Sequence, residues 1–352
     1  MGEKNTLILY DDAGEGSVMV KIPKFKISDV IEGGIEVVHP AFVVNGEEKD
    51  FIYISKYQNV VKNERAYSLK GEDPAVLYSP CQMERFCRNK GKNWHLMTNA
   101  EWAAAALYSL KNGTLPRGNN DNGRDWSHPE ESGILSSLKA VVPAGEEGPP
   151  MRTATGSGPE TWSHDGTADG IFDMNGNVFE LVSGIRLYDG FFEVIENNDA
   201  AAAGLCLESE RWSRIGENGN LINPRSESPA LRMRHNGLYA EDLPQMQLDF
   251  GTTKKQNLEK NIEDVYLPFK EAAAPRNWEK GNIAEQLAIL PPANSAAPIG
   301  CELAWGMLQW IRYPIRGGYW VNGKHAGIFM YGFYMQEEDR YFDVGFRSCY
   351  FD

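Results

Sequence analysis

The sequence predicts an α+β protein: two helices packed on short, mainly antiparallel strands, with long loops between them. Three observations carry that expectation. Runs of β-branched and aromatic residues are short and punctuated by glycine, helical periodicity is confined to two stretches before Gly113, and strand and helix signals do not alternate in the βαβ manner. With 352 residues, 42% hydrophobic and 24% charged, the chain suits one elaborated globular domain or two ordinary ones. Acids outnumber bases by 49 to 35, a formal charge of -14. A fold-wide basic surface for nucleic acid is thereby excluded, and an anionic membrane would repel the chain. There is no apolar run long enough for a membrane helix, so no membrane insertion is expected. Met1 to Gly16 lacks a small-residue cleavage site, so no signal peptide is expected either.

Taken in order, residues 1–50 form an extended segment with short strands at Val18 to Ile22, Ile35 to Val38 and Ala41 to Val44, closed by the turn signal Asn45-Gly46. Phe51 to Tyr57 is aromatic and β-branched, a strand. A helix is expected at Ser79 to Asn89. A second begins at Thr98, whose Glu101 three residues on completes a capping box; Trp102, Ala106 and Leu110 make its apolar stripe, and Asn112-Gly113 ends it. Pro116 to Asp169 reads as loop. Residues 188–300 mix an alanine run, Ala200 to Ala203, with a polar stretch from Lys254 to Asp264, and read as an insertion. Arg316 to Trp320, Ile328 to Tyr331 and Val344 to Arg347 read as Gly-punctuated strands.

Common catalytic motifs are missing. Ser157 between two glycines lacks the strand-turn-helix setting of a nucleophile, and His128, His164 and Asp165 lie in loops where solvated side chains are the simpler reading. Cys81, Cys87, Cys206, Cys301 and Cys349 are odd in number and scattered, which predicts a reducing compartment and buried free thiols without metal spacing. In Phe172 to Val182, Asn and Glu oxygens flank the turn at Gly176 and could surround a hard cation such as calcium. Equally, Asn175-Gly176 could simply make the turn while Asn177 and Glu180 cap backbone.

Five blocks carry a resemblance: Phe51 to Tyr57, Trp94 to Trp102, Asp173 to Leu181, Arg316 to Trp320 and Val344 to Arg347. In that order they resemble the formylglycine-generating-enzyme-like (sulfatase-modifying factor) branch of the C-type lectin fold. The chain is most similar there to phage-type variable proteins of diversity-generating retroelements. The resemblance implies a C-type-lectin-like domain over 51–352, interrupted at about 188–300, with a variable cassette at 316–347. In such a cassette Tyr319, Val321, Asn322, His325, Gly332, Tyr334, Asp339, Tyr341 and Asp343 fall at mutable codons. Trp320, Gly327, Phe329, Gly345 and Phe346 would be scaffold. Met335 departs from the pattern, since Met cannot arise from an Asn codon by adenine changes alone.

The function implied is ligand binding, with the hypervariable surface displayed on a phage tail for attachment to a host cell-surface protein or glycan and in contact with other virion proteins. Most of Tyr319, Tyr331, Tyr334 and Tyr341 would face outward, and Tyr319, Tyr334 and Tyr341 would be dispensable for folding. No cofactor is required, although the resemblance implies a structural calcium at Gly176, Asn177, Val178 and Glu180. The alternative is a diverged oxidase of the same branch. Those enzymes hold copper on a cysteine pair in the cassette, and His325 to Tyr331 contains no cysteine, so no enzymatic activity is expected.

Overall fold

The computed structural model describes residues 5–136, 151–203, 210–240, 243–252, 264–273, 278–292 and 299–352. Cys206, part of the long loop and nearly all of the polar stretch from Lys254 lie outside them.

Local signals produce the expected local structure. Asn45 and Gly46 take positive φ of 50° and 78° and join the Val43–Val44 and Glu47–Glu48 strands. The helices occur as Pro80–Arg88 and Asn99–Asn112. In the second, Thr98 accepts from the Glu101 amide while the Glu101 carboxylate accepts from the Thr98 amide, and Gly113 ends the helix at φ 69°. Ala103 to Ala106 are fully buried, so this helix is enclosed on most sides. Ile35 to Val37, by contrast, form no strand.

The fold class is not the one expected. The architecture is mostly β, and its centre is a closed ring of eight strands rather than two helices on short strands. Ile185–Tyr188 pairs with Phe191–Ile195, which meets Ala230–Ala240 at Phe191 and Arg232. Ala230–Ala240 runs antiparallel to Leu243–Gly251, and Asp264–Pro268, Leu303–Met307, Gly327–Met335 and Ile311–Gly317 follow in turn. The ring closes where Leu187 and Tyr188 pair with Arg312 and Ile311. The C-type-lectin-like arrangement is corrected for a physical reason. Residues 188–300, read as an insertion, supply the strands that carry the sheet from Ile185–Tyr188 round to Leu303–Met307, the two strands that flank the Ile311–Gly317 and Gly327–Met335 pair, and so complete a barrel that leaves no sheet edge along that circuit.

Strand alternation fills the barrel. Leu231, Met233, Met246, Leu248, Val265, Ala304, Tyr331 and Phe333 are buried in one cluster, which continues into the Asn99–Asn112 helix. The Trp102 Nε1–H donates to the Ile328 carbonyl at 2.7 Å, fixing the helix to a cassette strand. A second sheet takes the order Thr6–Tyr10, Gly16–Pro23, Phe51–Ser55, Ser348–Phe351 and Trp94–Leu96, so the first and last strands of the chain share one sheet. Cys87 and Cys349 are buried as expected; Cys301 is half-buried and Cys81 is exposed, against the expectation of burial. Among the described residues no helix is long and apolar enough to cross a membrane.

Candidate functional site

Within 316–347 the strand residues are buried apart from half-buried Tyr334, and the chain meets solvent mainly along the connections 319–325 and 336–343. Gly332 is buried, Val321 is 48% exposed, and Tyr319, Asn322, His325, Tyr334, Asp339, Tyr341 and Asp343 are half-buried. Trp320, Gly327, Phe329, Gly345 and Phe346 are all buried. Tyr331 does not face outward. It is 2% exposed inside the barrel, edge-on to Phe269, with its hydroxyl donating to the Ile289 carbonyl at 3.3 Å.

Two clusters result. The first surrounds the turn from Tyr319 to Gly323, where the Tyr319 amide donates to Asn322 Oδ1 and the Gly323 amide to the Asn120 carbonyl. Against Gly323 lies Trp126, 54% exposed. Its loop is braced: Asn120 Oδ1 accepts the Trp126 amide at 2.7 Å, and Asp125 Oδ1 accepts the amides of Ser127 and His128. A large apolar ring held in water by a braced loop is a residue type enriched at interfaces. Sequence reasoning missed Trp126, although the Asn and Asp turn-formers on both sides of it were a usable signal.

The second cluster is a row of four half-buried rings. Tyr266 stacks on Trp305 at 5.9 Å and 12°, Trp305 meets Tyr334 at 5.3 Å, and Tyr334 meets Tyr341 at 4.6 Å. Trp305 leans over Gly332, where an added Cβ would come within 2.3 Å of its ring. Asp339 Oδ2 accepts from the Tyr341 hydroxyl at 3.2 Å. Burial, with Asp264 beside it, pushes Tyr266 up to about 12, and burial together with the Tyr334 hydroxyl raises Tyr341 further, so these phenols stay neutral at pH 7.

The residues expected to hold calcium do not fit a cation. Asn177 Oδ1 already accepts from the Thr153 amide and hydroxyl and from Asn119 Nδ2. The Val178 carbonyl accepts from Gln58 Nε2 at 3.1 Å. Both Glu180 oxygens accept from the Arg347 guanidinium, which also donates to the carbonyls of Ser55 and Phe172. Asn177 has positive φ, 64°, beside Gly176 at 77°, so the tight turn is real and its side chains serve as caps and an ion pair.

His95, Glu101 and Cys349 are the metal-capable cluster among the described residues, all fully buried. His95 Nε2 lies 2.9 Å from Glu101 Oε1, which also accepts from Asn198 Nδ2, while Oε2 accepts the Thr98 amide. These atoms satisfy one another as a helix-capping network. Ser157 Oγ accepts the Ile134 amide, which is a structural role, and His128 lies in the Trp126 loop while His164 packs by Tyr108.

No family model matches the chain, and no curated protein matches it. Among solved structures, PvdO from Pseudomonas aeruginosa aligns over 100% of both chains at 12% identity with a TM-score of 0.34, a level that assigns neither fold nor activity.

Proposed function

We propose that the chain is a ligand-binding protein whose recognition surface is the outward edge of residues 316–347, joined by Trp126, and that this surface is diversified by a retroelement. One observation carries the reading. Eight of the nine positions expected to vary reach solvent, whereas the five expected to be scaffold are buried. Substitution is tolerated where a side chain meets water and is costly where it fills a core, so that partition is what a diversified surface requires. Trp126 and the tyrosines supply large, stiff contact areas, and Asn322, His325 and Asp339 supply adaptable polar ones. The ligand is a host cell-surface protein or glycan; attachment from a phage tail rests on the sequence resemblance alone.

The deciding experiment is to sequence the DNA around the gene for a near-copy of the codons of Arg316 to Arg347 that differs at adenines. Such a copy supports the reading. Its absence, together with a library randomised at Tyr319, Val321, Asn322 and Tyr334 that mostly fails to fold, would end it.

A further inference from the structure

Away from the cassette, the Gly16–Pro23 strand and the Asn99–Asn112 helix leave a cleft of about 340 Å³ between them. That is the lower end of the range, roughly 300–1,000 Å³, of sites for small organic molecules. Its floor is apolar: Val20, Ile22, Val30 and Ala105 are buried side chains that border it. Its rim carries Lys21, Lys24 and Lys111 on a chain whose net charge is -14.

The acids of the same rim are committed to their own turns. Asp29 Oδ2 accepts the Lys26 amide at 2.7 Å, and Asp165 Oδ1 accepts from Ser163 Oγ and from the amide and hydroxyl of Thr167. Lys24 is paired with Glu48 and Asp50, and Lys21 lies over the Phe51 ring. Lys111, exposed in the last turn of the helix, has no ion-pair partner among the described residues.

The decisive residue is His164, 2% exposed and bordering the cleft. Its Nδ1 accepts the Ile171 amide at 2.9 Å, which places the ring proton on Nε2, and no acceptor meets Nε2 among the described residues. Burial lowers its pKa to about 4, so at pH 7 it is a neutral donor. Nε2 is not among the sealed side-chain atoms that lack a partner, so its N–H keeps contact with solvent, and a ligand oxygen can take the place of water there.

We propose that this cleft binds a small amphipathic anion, an apolar body carrying one carboxylate or comparable acid group. The body lies on the floor formed by Val20, Ile22, Val30 and Ala105, and the acid group lies between the His164 Nε2–H and Lys111. The proposal does not depend on the recognition role of the cassette.

The test uses the full chain, with 8-anilinonaphthalene-1-sulfonate as a fluorescent probe and decanoate or 1-decanol as competitors. Decanoate is expected to displace the probe and to raise the melting temperature. Decanol, which has the same body without the charge, is expected to compete about tenfold more weakly. Lys111→Glu, an exposed change, is expected to weaken decanoate by about tenfold and to leave decanol unchanged, which also reports an intact fold. Equal competition by the two, indifference of decanoate to Lys111→Glu, or no displacement by decanoate would each overturn the proposal.

Discussion

Replacing Glu180 with Gln separates the ion pair seen in the structure from the calcium ligand that the sequence resemblance implies. Glu180 and Arg347 are both buried, and the guanidinium holds both carboxylate oxygens. Removing the charge leaves Arg347 in the interior without its counter-ion, a loss of about 3–5 kcal/mol. At roughly 2 cal/mol/K per residue, 352 residues give an unfolding entropy of about 0.7 kcal/mol/K. The melting temperature should therefore fall by about 5 °C. Thermal unfolding followed by circular dichroism measures this directly, with excess EDTA or excess calcium in parallel. The ion-pair account expects neither additive to move the wild-type midpoint. It also expects Glu180→Gln with Arg347→Met to lose at least about 2 kcal/mol less than the two single losses added, because the partners act as a unit. A Glu180→Gln midpoint within a degree of wild type, or a wild-type midpoint that drops on chelation, would refute the reasoning.

Glu302 is raised by burial to about 8, so the folded chain keeps a proton that the unfolded chain releases near 4.5. Its contribution to stability is full below 4.5 and is lost as pH rises through 8; Glu302→Gln should flatten the stability profile over that window, read as a mutant-minus-wild-type difference in urea midpoints. Tyr341→Ala should cost about 1–2 kcal/mol, because the ring is half-buried against Tyr334, and a loss below about 0.5 kcal/mol would restore the view that it is merely displayed. Trp126→Ala should change the melting temperature by no more than about a degree, since the ring is mostly in water. Gly332→Asn must push Trp305 aside, and a red shift of tryptophan emission would report it; an unchanged spectrum would show that the site accepts a side chain after all.

Whatever depends on a few consecutive residues was legible without coordinates. The capping box at Thr98 and Glu101 is settled by side-chain-to-backbone bonds three residues apart, and the turns at Asn45-Gly46 and at Gly176 by residue types that accept positive φ. The alternation Leu231-Arg232-Met233-Arg234-His235 was also present, a period of two that marks a strand with one buried face, yet it was lost in a stretch of mixed composition. Scaffold positions such as Phe329 and Phe346 were named on the cassette resemblance, and both are buried.

Closure of the barrel was not legible. It rests on pairings such as Leu187 with Arg312, and nothing near either residue in the chain specifies the other. The same holds for Glu180, whose partner Arg347 lies 167 residues away, and for Tyr331, whose inward direction follows only from the face its strand presents to Phe269. A carboxylate beside a glycine turn is chemically suited to a cation or to a guanidinium. Composition determines that such a group needs a positive partner, and only the packed chain decides which one reaches it, because desolvation removes every alternative once the core closes.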